Sequence, residues 1–232
     1  MAVWALIVFV VTMFLFVLPI WSATLWKEPK RSRVAYFFYS NWMGLFFILI
    51  GVRRTIKGRE NFKKGQNYVV VCNHRSLMDP PLSSPAIPSA NKTIAKAEMS
   101  KIPIFNIVYA SGSVLVDRKS EESRRASYMR MKEVLEQGLH MCIYPEGTRN
   151  KTNEPLTRFH DGAFRLAIDA KKPVIPAVIF NTAKVLPRKP FFFWPTRVEM
   201  HFLPPVEIGD KTAHELKMIC YEQMKAYYLA NA

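Results

Sequence analysis

The pattern of apolar and polar positions divides the chain at two places. Residues 1–26 carry no charge, and 3–21 is almost wholly apolar. About 20 such residues suffice for a helix to cross the hydrocarbon core of a bilayer. A secretory signal peptide would add a basic amino-terminal region and a small-residue cleavage site. Met1-Ala2-Val3 is uncharged and no such site follows, so the segment is expected to be retained. A basic link, Lys27, Lys30, Arg31 and Arg33, leads to a second apolar stretch, 34–52, broken by Tyr36, Tyr39, Ser40, Asn41 and Gly44. Arg53, Arg54, Lys57, Arg59, Lys63 and Lys64 follow it. A simple transmembrane hairpin would put one of these basic clusters on the outer side, against the tendency of Lys and Arg to stay cytoplasmic. Two arrangements remain. Either the first segment spans and the second lies in the interface, or both dip into one leaflet with their basic flanks on anionic headgroups. Trp21, Trp26, Tyr36, Tyr39 and Trp42 suit an interfacial position in both. The sharp change of composition at Arg53 argues against a second helix buried in the globular part. It divides the chain into membrane-anchoring helices at 1–52 and a globular domain at 53–232.

Beyond Arg53, short apolar runs alternate with longer amphipathic ones, which predicts an α/β domain with a mixed sheet covered by helices. Strands are expected over 68–72, 93–97, 113–116, 141–144, 174–180 and 198–202. Several are unbroken Val- and Ile-rich runs, as sheets covered on both faces require. Helices are expected over 121–137, 162–170 and 212–229. In the first of them Tyr128, Met131, Val134 and Leu135 recur at helical spacing, so that face belongs to the core.

Charge narrows the choice of partner. The 232 residues hold 33 Lys and Arg against 18 Asp and Glu, a net +15, so the partner is expected to be anionic: nucleic acid, a phosphorylated substrate or an acidic lipid surface. The three cysteines, Cys72, Cys142 and Cys220, are too widely spaced for a disulfide framework or a zinc pattern. Cys72 and Cys142 lie in apolar runs and read as small core residues. There is no glycine-rich dinucleotide loop, no phosphate-binding loop and no zinc cluster, so no cofactor is expected.

Candidate chemistry collects in the loops. The expected strand ending at Cys72 runs into Asn73-His74-Arg75-Ser76-Leu77-Met78-Asp79-Pro80-Pro81, and the one ending at Tyr144 runs into Pro145-Glu146-Gly147-Thr148-Arg149-Asn150. Ligands gather at the carboxyl ends of strands in α/β folds, so both loops can share one rim. A carboxylate five residues after a histidine can accept one imidazole N–H, which fixes the tautomer and leaves the other nitrogen to take a proton from a hydroxyl. The alternative is a capping box, Ser76-x-x-Asp79, in which the acid only starts a helix. Pro80 and Pro81 weaken it, because the residue before proline avoids the α region. In Glu146-Gly147-Thr148-Arg149, the glycine lets backbone approach a ligand and Arg149 offers a fork for phosphate oxygens. Glu146 is placed either to hold Arg149 or to bind a substrate hydroxyl. Arg118, at the end of an apolar strand, and Lys96, a cation in a strand-like run, complete a set of three cations suited to a phosphorylated alcohol. His140, His160, His201 and His214 have no partner at catalytic spacing and read as surface or packing residues.

Taken together, Asn73-His74 with Asp79, Gly112 to Arg118, Glu146 to Arg149 and Val174-Ile175-Pro176 resemble, in order and spacing, the four motif blocks of the glycerolipid acyltransferase family. The resemblance covers about 68–180. It implies that His74 is a general base and Asp79 its orienting acid. Arg118, Glu146, Gly147, Thr148 and Arg149 would then hold the acceptor phosphate, with Lys96 as an additional cation. It also implies transfer of a fatty acyl group from a thioester, on coenzyme A or acyl carrier protein, to the sn-2 hydroxyl of 1-acylglycerol-3-phosphate (lysophosphatidic acid), giving phosphatidic acid. The expected location is the cytoplasmic face of a bacterial inner membrane, in contact with membrane lipids. The chain departs from the family pattern at Pro80-Pro81 and at Ser113-Val114-Leu115, where an aromatic is more usual. Two rival readings are an acyltransferase for another lysolipid, such as a lyso-ornithine lipid or lysophospholipid, and a membrane-anchored anion-binding interaction protein. Nucleic acid is disfavoured because the aromatics concentrate in the anchor instead of interleaving with the basic residues of the domain.

Overall fold

The computed structural model describes residues 1–102, 104–117, 119–188 and 192–231. Its strands are β1 (Arg54–Lys57), β2 (Val69–Cys72), β3 (Asn91–Lys96), β4 (Ser113–Val116), β5 (His140–Ile143), β6 (Val174–Phe180) and β7 (Val198–Phe202). Its helices are α1 (Ala2–Ser22), α2 (Lys30–Leu49), α3 (Asp79–Ala86), α4 (Phe105–Gly112), α5 (Glu121–Glu136), α6 (Gly162–Asp169), α7 (Thr182–Val185) and α8 (Ala213–Asn231). The strands form one sheet in the order β1-β7-β6-β2-β5-β3-β4. Neighbours run parallel from β6 across to β4. β7 is antiparallel to β6, and β1 parallel to β7, so the sheet is mixed as expected.

The apolar runs explain why helices cover both faces. All four residues of β2 are buried. Val70 and Cys72 face a cluster completed by α1, α2 and α3, while Val69 and Val71 face one completed by α5, α6 and α8. Alternate side chains of a strand point to opposite faces, so an unbroken Val run needs a partner on each side. α5 does bury Met131, Val134 and Leu135, as its spacing predicts.

Besides the unexpected short helices α4 and α7, three elements depart from expectation. β1 was not anticipated: Arg-Thr-Ile-Lys has charged ends and only four residues, yet it pairs from Arg54↔Val198 to Lys57↔His201 at the sheet edge. α3 begins at Asp79 despite Pro80 and Pro81, which fall in its first turn, where the missing N–H groups need no intrahelical partner. The prolines therefore start this helix instead of preventing one. α2 is no separate appendage, because Trp42, Met43, Phe46 and Phe47 lie in the same hydrophobic cluster as Val70, Ile175 and Met200. The composition change at Arg53 thus marks the end of a covering layer.

α1 lies against α2. Phe9 meets Trp42 and Phe46, each at 5.5 Å between ring centres, and the Trp42 indole N–H donates to Thr12 Oγ1 at 2.9 Å. The other side of α1 exposes Leu6, Ile7, Val11, Phe14, Leu15 and Leu18. With the turn that follows, it makes an apolar helix of 24 residues, long enough to cross a membrane. Between α1 and α2, Glu28 pairs with Lys92 of β3 at 2.7 Å and ties the linker to the sheet.

Candidate active site

Strand order decides which loops meet. β6, β2 and β5 are parallel neighbours, so the segments leaving their carboxyl ends share one rim of the sheet. From β2 comes His74, from β5 Tyr144 and Glu146, and from β6 Asn181 and Thr182.

Asn73 begins the site by ending β2. Its amide donates to the Ile179 carbonyl at 2.9 Å and accepts the Ile179 N–H at 2.7 Å, so the side chain replaces the next rung of the ladder. The backbone is then free to turn. The loop after β5 takes up both backbone groups of His74: the His74 N–H donates to Glu146 Oε1 at 2.8 Å, and the His74 carbonyl accepts from the Asn150 N–H at 2.6 Å.

The imidazole is held at its edge and on its face. Nδ1 lies 2.7 Å from Asp79 Oδ2. The same oxygen accepts the backbone N–H groups of Arg75 at 2.7 Å and Ser76 at 2.8 Å. Asp79 Oδ1 accepts from the Thr182 hydroxyl at 2.5 Å. Asp79 is the first residue of α3, whose N-cap is Met78 without a side-chain cap, so the Ser76 capping box does not form, and the fully buried carboxylate has four donors around it. A carboxylate here takes the Nδ1–H, which selects the tautomer with an unprotonated Nε2. Nε2 makes no hydrogen bond to a described residue, and 18% of the His74 side chain is open to solvent. One face of the ring stacks on Tyr144 at 4.3 Å between centres.

Glu146 makes no ion pair with Arg149. It is buried, with Oε1 on the His74 N–H and Oε2 accepting the Thr157 N–H at 2.9 Å and the Thr157 hydroxyl at 2.5 Å. It braces the His74 backbone from behind. Gly147 takes φ +70°, and an added Cβ would come within 3.0 Å of the His160 ring, so only glycine fits that turn. Thr148 is exposed, and Arg149 is half-buried with no ion pair to a described residue. Lys96 is exposed at the end of β3, and the register Thr93↔Cys142 carries it to the same end of the sheet as the β5 loop. Arg118 lies outside the described residues.

Cys72 and Cys142 are buried packing partners with sulfurs 3.9 Å apart, and burial pushes the Cys72 thiol well up. His140 is also internal: it accepts the Tyr68 N–H at 3.1 Å, and burial lowers it to about 4. Thr182, Thr157 and Tyr144 are contributors that the sequence reading passed over. Thr182 had a usable signal, since it lies two residues beyond the longest apolar strand, at whose carboxyl end ligands gather. Thr157 had none.

The site joins a buried carboxylate to a partly buried imidazole at the carboxyl ends of the sheet's parallel strands, with Lys96 at the same end. Residues 53–180 match the family described as Acyltransferase, and the chain belongs to that family. Among its relatives is the 1-acyl-sn-glycerol-3-phosphate acyltransferase of Borreliella burgdorferi, 27% identical over 168 residues, 72% of this chain and 67% of that one. Another is 1-acyl-sn-glycerol-3-phosphate acyltransferase alpha of Mus musculus, 32% identical over 171 residues, 72% of this chain and 60% of the relative. The match to the Bos taurus alpha protein spans 55% of its length, so the chain spans little more than half of some relatives. The fold is that of the 1-acyl-sn-glycerophosphate (LPA) acyltransferase PlsC from Thermotoga maritima. The TM-score is 0.84 at 24% identity, covering 99% of this chain and 93% of that one.

Proposed function

We propose that the protein transfers a fatty acyl group from a thioester, carried by coenzyme A or acyl carrier protein, to the sn-2 hydroxyl of 1-acylglycerol-3-phosphate, yielding phosphatidic acid. The observation that carries this reading is the 2.7 Å contact between His74 Nδ1 and Asp79 Oδ2 in a chain of the acyltransferase family. In this mechanism His74 Nε2 takes the proton of the acceptor hydroxyl as its oxygen attacks the thioester carbonyl. The tetrahedral oxyanion collapses, the C–S bond breaks, and the leaving thiolate recovers the proton from the imidazolium. No covalent enzyme intermediate forms. Asp79 orients the ring, while Gly147, Thr148 and Arg149, with Lys96 and Arg118, receive the acceptor phosphate. Glu146 acts on that site through the loop it braces. In this reading α1 anchors the enzyme where a two-tailed product belongs, and the basic flanks of α2 support a position at the cytoplasmic face of a bacterial inner membrane.

The test is acyl transfer from a labelled acyl thioester to lysophosphatidic acid in vesicles, with wild type beside His74→Ala. Phosphatidic acid from the wild type and a loss of several orders of magnitude in the variant are expected. Equal activity in the two proteins would sink the dyad mechanism. A wild type that ignores lysophosphatidic acid but acylates another lysolipid would move the acceptor and keep the base.

A further inference from the structure

The reaction turns a neutral imidazole into a cation for the lifetime of the tetrahedral intermediate, and the site must stabilise that charge. Asp79 meets it at the ring edge through Nδ1. The face of the ring has a partner too. The Tyr144 ring lies under the imidazole at 4.3 Å between centres with 24° between planes. Its hydroxyl is tied to Ser83 Oγ at 2.8 Å. Ser83 is fully buried on α3, the helix that begins with Asp79. One helix therefore sets both the carboxylate at the ring edge and the anchor of the aromatic plane below it. Desolvation raises the Tyr144 phenol well above its ordinary range, so the ring stays neutral. A cation within about 6 Å of an aromatic ring centre is attracted by the negative face of the ring, and more strongly where water is excluded. That attraction exists for the imidazolium and hardly at all for the neutral ring, so it favours the transition state over the ground state.

We propose that Tyr144 is a positioning residue for the base, whose aromatic face stabilises the positive charge that His74 acquires during acyl transfer. Its hydroxyl serves only to hold the ring in place. The proposal rests on His74 being the base, and its test separates the two. Position 144 is filled in turn with Tyr, Phe and 3,4,5-trifluorophenylalanine, which keep nearly the same shape while fluorination weakens the negative face, and with Leu, which removes the ring. Tyr144→Phe is expected within about threefold of wild type, the fluorinated protein about three- to tenfold below Phe, and Tyr144→Leu about tenfold or more below. The change is expected in kcat, with both KM values steady, because the ring acts on the charge of His74 in the transition state. Equal kcat for Phe and its fluorinated form would overturn the proposal, as would a collapse of activity in Tyr144→Phe, which would put the function in the hydroxyl. His74→Ala as active as wild type would remove the underlying reading and this inference with it, whereas a flat fluorine series beside an inactive His74→Ala defeats this inference alone.

Discussion

Glu146→Gln separates two roles that the sequence left open, brace or substrate ligand. In the wild type two carboxylate oxygens receive three donors: the His74 N–H, the Thr157 N–H and the Thr157 hydroxyl. The amide offers one oxygen and two N–H groups in the same buried space. Its less costly orientation keeps the oxygen on His74 and turns the NH2 to Thr157, whose hydroxyl can rotate to accept. The Thr157 N–H then faces another donor. One buried unsatisfied donor costs about 1–3 kcal/mol, and the loss of charge assistance adds about 1 kcal/mol, giving about 3 kcal/mol in all. For a chain of this length, that corresponds to a fall of about 6–12 °C in melting temperature. The assay pairs thermal unfolding in detergent with steady-state kinetics in both substrates. A brace predicts a lower Tm together with a lower kcat, because His74 and the loop that follows Glu146 are both displaced. An unchanged Tm with a raised acceptor KM would refute the reasoning and return Glu146 to the substrate.

Thr182→Val keeps the shape of a buried side chain and removes the hydroxyl bonded to Asp79 Oδ1. It should cost about 2 kcal/mol of stability and lower kcat about tenfold with KM unchanged, read by the same two assays. His140 supplies the pH dependence of stability. Burial depresses it from the ordinary imidazole value near 6.5 to about 4, so the native state favours the neutral ring that accepts the Tyr68 N–H. Its contribution is therefore complete above about pH 6.5 and is lost as the pH falls toward 4, amounting to about 3 kcal/mol. Melting curves between pH 7 and 4 should fall more steeply for wild type than for His140→Asn. Parallel curves would mean that His140 titrates normally in the fold.

Much of the architecture was legible because burial on both faces leaves a plain signature. The runs at 174–180 and 198–202 are strands over those same residues; the first is wholly apolar and buried, whereas the second sets Val198, Met200 and Phe202 apart by two as a strand face requires. β1 was not legible: four residues with Arg and Lys at the ends carry too little apolar area to announce a strand, and the position is made by β7. α3 was misread because proline penalises a helix interior, whereas here it occupies a first turn whose location depends on where the loop from β2 closes. The buried face of α2 was hidden for a related reason, as an apolar helix reads alike whether lipid or a sheet covers it.

By itself the sequence determined the α/β class, the apolar first helix, the positive charge and the pair His74 and Asp79. Each of these follows from side-chain chemistry and local spacing, five residues in the case of the pair. Tertiary structure alone decided what surrounds that pair. Thr182 and Glu146 lie 103 and 72 residues away from Asp79 and His74 in the chain, and they reach them only because β6, β2 and β5 are adjacent and parallel. No local pattern encodes such a neighbourhood, since strand order is set by how the whole sheet buries its two faces. So a glutamate that the sequence offers to Arg149 or to a substrate hydroxyl is bonded to His74 and Thr157, and a tyrosine that reads as the end of a strand stacks on the His74 ring.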